Sequence, residues 1–147
     1  MRSNRFPLFF LCGLMAAVVG CSTGSSARVP DELYFKVEVE QHGKTVAAPN
    51  LLGFEGRHII VEKRANQSVA PDYRLVLLPS ERGDGYGVHF DLVLPSGHRA
   101  GTMQLLSGEE RRVLLDEDTS LKLLVMRVDS PEFRALMLRA GKKPNQI

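Results

Sequence analysis

The residues of this 147-residue chain best suited to chemistry are His89 and Asp91, spaced so that an extended strand carries both on one face, opposite Phe90, Leu92 and Leu94. Such a couple could serve a hydrolase, His89 as general base and Asp91 as its orienting group, given a nucleophile or a metal beside them. The sequence supplies neither. No pair among His42, His58, His89 and His98 has the helical or short-loop spacing of a zinc motif. Glu81, Asp84 and Asp91 likewise lack the spacing of a calcium-binding EF-hand loop. The glycines of Glu81-Arg-Gly-Asp-Gly-Tyr-Gly87 would cradle an anion only at the start of a helix, whereas the residues after Gly87 alternate as a strand does. A hairpin loop is expected there. The expectation is therefore no catalytic residue, no metal and no cofactor.

The other reactive side chains are two thiols, Cys12 and Cys21. Arg2 and Arg5 form a positive leader, Phe6 to Val19 an almost wholly apolar run, and Gly20 precedes Cys21. Val18-Val19-Gly20-Cys21 resembles the lipobox of bacterial lipoproteins, in which a branched apolar residue and a small residue precede an invariant cysteine. The resemblance implies that the Cys21 thiol receives a diacylglyceryl group, that the chain is cut before it, and that the new amine is acylated as well. Cys21 is thus the expected site of lipid attachment, palmitate included, and residues 1–20 the expected signal peptide. Length agrees with this: Phe6 to Cys21 offers 16 positions, and about 20 apolar residues are needed to span a bilayer. The competing readings are a secretory signal in which Cys21 is incidental, or an uncleaved membrane helix. Ser22 follows Cys21 where an aspartate would favour inner-membrane retention in enterobacteria-like lipoproteins, so the resemblance implies the outer membrane, facing the periplasm.

Removing residues 1–20, whose only charges are Arg2 and Arg5, leaves 127 residues with 17 basic and 17 acidic side chains. That balance carries no nucleic-acid footprint and no polybasic membrane patch. It also leaves no thiol for a disulfide or a redox pair, since Cys12 departs and Cys21 carries lipid. One domain with a single core fits the length.

The elements that must position these groups read as strands. Residues 21–31, with Ser22-Thr-Gly-Ser-Ser26, form a flexible tether. In Leu33 to Glu40 the apolar Leu33, Phe35, Val37 and Val39 share one face, which predicts a half-buried strand, and Gly43 a turn with a short return over 45–48. Further strands are predicted over 57–63, 73–78, 87–94, 111–115 and 120–128, the stretch 73–78 being apolar on both faces and so interior. At the end, Ser130 can cap a helix that Pro131 opens, Phe133, Leu136, Met137 and Ala140 form its stripe, and Gly141 stops it. A tail over 142–147 follows.

At an offset of 54 residues, Gly43 matches Gly97, Leu51-Leu52 matches Leu105-Leu106, and Ile59-Ile60-Val61 matches Val113-Leu114-Leu115. The expected fold is a mostly-β, antiparallel β-sandwich of about seven to eight strands over 32–141, built from two repeated units or from hairpin grammar recurring by chance, with a short C-terminal helix. The pattern resembles small periplasmic β domains attached to secretion and envelope-sensing proteins, over no catalytic or binding motif. With no tryptophan, and most aromatics expected in the core, a sugar-stacking platform is not expected. Together these point to a lipid-anchored envelope protein that binds a protein partner without catalysis, as an adaptor in a secretion, pilus or transport assembly. The alternatives are a carrier of a small apolar ligand, in a cavity lined by Leu33, Phe35, Val37, Leu75 and Leu77, and a hydrolase using His89 and Asp91.

Overall fold

The computed structural model describes residues 28–65 and 71–141, so Cys21, the leader, most of the tether and the tail lie outside the described residues. Nine strands and one helix are present among the described residues: β1 (Glu32–Gln41), β2 (Lys44–Ala47), β3 (Asn50–Phe54), β4 (Ile59–Lys63), β5 (Tyr73–Arg82), β6 (Gly85–Leu94), β7 (Gly97–Leu106), β8 (Glu110–Leu114), β9 (Thr119–Arg127) and α1 (Pro131–Arg139). They form two antiparallel sheets, β2-β1-β9-β8 with β3 also on β1, and β4-β5-β6-β7. This is the β-sandwich that the alternation predicts.

Period-two patterning explains the packing. Leu33, Phe35, Val37 and Val39 of β1, with Leu121, Leu123 and Val125 of β9, face Leu75, Leu77, Val88, Phe90 and Leu92 of the second sheet. Nearly all of these are fully enclosed, each contributing about 1.5–3 kcal/mol by leaving water. The space that an internal ligand would need is filled by these same side chains.

β3 and β7 are additions to the strands read from sequence. β7 is an edge strand whose inner face carries only Met103 and Leu105 as buried large side chains, so its apolar pattern is sparse. The glycine-rich segment is not a long loop: Glu81 and Arg82 end β5, Gly85 to Gly87 begin β6, and only Gly83 and Asp84 turn between them. Gly85 is required because a Cβ there would sit 2.1 Å from the Leu105 carbonyl oxygen. β5 also runs through Pro79. Beyond Leu77 it has β6 on one side only, the kind of position where a strand tolerates a missing donor.

The strand order repeats itself. Exchanging β1 with β6, β2 and β3 with β7, β4 with β8, and β5 with β9 converts one sheet into the other. Each sheet thus joins the first hairpin of one half to the last hairpin of the other. The matched triplets keep the same orientation, with Ile60 and Leu114 both pointing outward at 58% and 72% exposure.

The helix breaks this symmetry. Ser130 Oγ accepts the Phe133 N–H at 3.1 Å, and Phe133 and Met137 bury against Tyr34, Leu124 and Met126 on the outside of the first sheet. The Tyr34 and Phe133 rings lie 5.5 Å apart. Ser130→Ala should cost about 1 kcal/mol by orphaning that N–H, read as a lower urea midpoint with unchanged slope. An unmoved midpoint would mean that the cap contributes nothing.

Candidate functional site: an uncovered sheet face and two loop-bearing ends

The two outer sheet faces differ in chemistry. On the first, α1 covers one half and alternating charges occupy the middle strands of the rest, with Leu52 and Leu114 exposed on the edge strands. Lys122 Nζ lies 2.9 Å from Glu38 and 4.0 Å from Glu110, Arg112 Nη2 lies 2.5 Å from Glu40, and Lys36 lies 3.8 Å from Glu110. The Lys122 hydrogen bond holds the Glu38 carboxyl below its usual range, and the same pair raises the lysine. These charges already have partners on their own sheet.

The outer face of β4-β5-β6-β7 has no helix over it among the described residues. The registry Ile60–Val76–Asp91–Ala100 forms its middle row, flanked by Leu78–His89–Thr102 and Arg74–Val93–His98. Ile60 is exposed, Val76, Leu78 and Val93 are half-buried, and His58, Arg74, Val76, Leu78, His89 and Asp91 line a depression of about 160 Å³. His89 and Asp91 do share this face, as their spacing predicts. They are not coupled there: Asp91 Oδ1 sits 3.0 Å from His98 Nε2, and His89 Nδ1 sits 3.3 Å from Thr102 Oγ1. Among the described residues no group of three or more His, Cys, Asp or Glu side chains is arranged to hold a metal ion.

Antiparallel order also sorts the loops into two ends. At the first, which receives the chain at Arg28, lie the β3–β4, β5–β6 and β7–β8 turns and the start of α1. Asp31 is its hub: it accepts from Arg28 at 3.0 Å and from the Tyr86 hydroxyl at 3.3 Å, lies 3.7 Å from Arg127, and its carbonyl accepts the Glu55 N–H. Arg28 also pairs with Glu81. Burial, reinforced by the Asp31 charge, pushes the Tyr86 phenol up to about 12, so it stays a donor at all ordinary pH. Phe54 is the aromatic that departs from the core expectation, lying half in solvent at this end under Arg57 at 5.8 Å.

At the opposite end, Gln41 Nε2 donates to Ser96 Oγ at 2.6 Å, the His42 N–H donates to the Asp118 carbonyl at 2.8 Å, and Arg99 pairs with Asp116. These contacts tie the β1–β2, β6–β7 and β8–β9 turns around a cleft of about 310 Å³. Arg99 Nη1 and Thr119 Oγ1 are buried side-chain atoms without a partner in this region. Arg99, then the Thr119 and Asp118 N–H groups, hold the Asp116 carboxyl down to about 2. A carboxylate with a depressed folded pKa stabilises the protein above its unfolded value near 4, and that stability disappears as pH falls toward 2. Asp116→Asn should therefore flatten the fall of thermal midpoint between pH 4 and 2 relative to the parent. Parallel curves would show that the Arg99 pair is not linked to folding.

None of these cross-chain contacts was readable from sequence, because Asp31–Tyr86 and Gln41–Ser96 are each separated by 55 positions. No family model matches the chain, and neither a curated protein nor a solved structure matches it.

Proposed function

We propose that this protein is a lipid-anchored, non-catalytic binding module of the bacterial cell envelope, held at the outer membrane through Cys21 and facing the periplasm. Its binding surface is the outer face of β4-β5-β6-β7, and its partner is an envelope protein segment with a small aliphatic stripe and acidic flanks. The reading is supported above all by the unequal treatment of two topologically equivalent sheets. α1 covers half of one outer face and paired charges occupy its middle, with Leu52 and Leu114 exposed on its edge strands, whereas the other has no helix over it among the described residues and leaves Ile60, Val76, Leu78 and Val93 in reach of solvent. An amphipathic segment laid there would take the place that α1 takes on the first sheet, and His58 and His89 at the depression would meet its carboxylates, Arg74 being already beside Glu62. Binding is favoured over hydrolysis because Asp91 is engaged with His98 and not with His89. It is favoured over carriage of a small ligand because Leu33, Phe35, Leu75 and Leu77 fill the space between the sheets.

Recovery of a specific protein from crosslinked envelopes tests this, with the anchor segment alone as control. Ile60→Glu should reduce recovery about tenfold, the loss of about 1.4 kcal/mol, while Leu114→Glu on the other sheet leaves it intact. Recovery of no specific protein, or equal recovery from both variants, would overturn the proposal.

A further inference from the structure

We infer that the domain stands on the bilayer by its Arg28 end, presenting the Asp116–Asp118 turn and its clustered neighbours away from the lipid. The inference rests on the lipid-anchored reading of Cys21, and goes beyond it by assigning the surface that faces the membrane. Two observations carry it. The chain from Cys21 to Arg28 covers seven peptide steps, which cannot reach farther than about 25 Å whatever their conformation. The point where that segment joins the domain is also fixed, since Arg28 and Asp31 are bound to Glu81, Tyr86 and the Glu55 N–H, all at one end of the sandwich. β1 then runs ten residues to Gln41 at the other end, a height of about 30 Å at 3.3 Å per residue. A domain taller than its own leash keeps the same end down.

The downward end is mostly charged. Glu55, Glu81, Asp84, Asp129 and Glu132 stand among Arg28, Arg57, Arg82 and Arg127, with Val29, Phe54 and Leu106 exposed beside them, so this end rests at the level of the lipid headgroups, its charges keeping it out of the hydrocarbon. The β4-β5-β6-β7 face then stands upright beside the membrane, open to a partner from the side. The β1–β2, β6–β7 and β8–β9 turns form the summit.

Energy transfer in the full lipidated chain tests this, because Cys21 has no free thiol once lipidated and one introduced cysteine can be labelled alone. Asp84→Cys marks the lower end and Glu117→Cys the summit, both at exposed positions. Each protein is reconstituted into phosphatidylethanolamine–phosphatidylglycerol vesicles carrying a headgroup acceptor. The Asp84 label should transfer at least about twice as efficiently, given a height difference of about 30 Å. Lengthening the tether by about 20 Gly/Ser residues should bring the two efficiencies together. Equal transfer in the parent, or stronger transfer from the Glu117 label, would overturn the orientation while leaving the anchor standing. Failure of both proteins to float with vesicles would overturn the anchor and the orientation together.

Discussion

Phe35→Ala is expected to lower folding stability by about 3–5 kcal/mol, enough to threaten a domain whose total stability is about 5–15 kcal/mol. Phe35 is fully enclosed on β1, the strand that pairs with β9 on one side and with both β2 and β3 on the other. Its registered neighbours, Val125 and Leu51, belong to strands on opposite flanks, so the lost ring leaves a void between the two sheets whose lining side chains are held in place by strand pairing and close it only in part. The cost therefore includes the cavity as well as the lost burial. Denaturant unfolding should show a much lower midpoint with an unchanged slope. A loss below about 1 kcal/mol would mean that the sandwich collapses around the gap and that its packing is looser than described. Phe35→Leu, which retains most of the volume, should recover most of the stability.

Cys21→Ala should abolish incorporation of labelled palmitate, and the same domain secreted with an ordinary cleavable leader in place of residues 1–20 should move from the membrane to the soluble fraction. Two or three acyl chains, at about 0.8 kcal/mol per buried methylene, hold a protein essentially permanently, and among the described residues no helix is long and apolar enough to cross a membrane. Folding should not change, since the strands and helix of the sandwich begin at Glu32. Circular dichroism and the thermal midpoint of the variant purified without its leader serve as the control. Labelling that persists in the variant, or a parent protein that takes up none, would remove the premise of the anchor and of the orientation drawn from it.

Some of this architecture was legible because it is encoded locally. Alternation in Leu33 to Val39 marked β1 and its buried face, apolar residues on both sides of Tyr73 to Leu78 marked an interior strand, and Ser130-Pro131 marked the start of α1. The 54-residue offset has its counterpart in a strand order that maps one sheet onto the other. β7 escaped because an edge strand need bury little: between Gly97 and Thr102 it has no large aliphatic side chain to show a pattern. The glycines read as a loop belong mostly to strands, since close approach between neighbouring backbones calls for the same residue that turns do. His89 and Asp91 were placed on one face correctly. Which groups they meet depended on His98 and Thr102, delivered by the neighbouring strand.

By itself, then, the order of residues determined the period-two faces, the helix cap, the charge balance and the chemistry expected at Cys21, because each depends on neighbours within a few positions along the chain. Only tertiary structure decided that Asp31 would fasten the start of the domain to Tyr86 and Arg127, that α1 would cover half of one sheet's outer face and not the other's, and that the turns would divide between two ends. Those outcomes follow from strand registry and sheet stacking, which bring together side chains more than fifty residues apart, and no local pattern reports which partners such pairing will select.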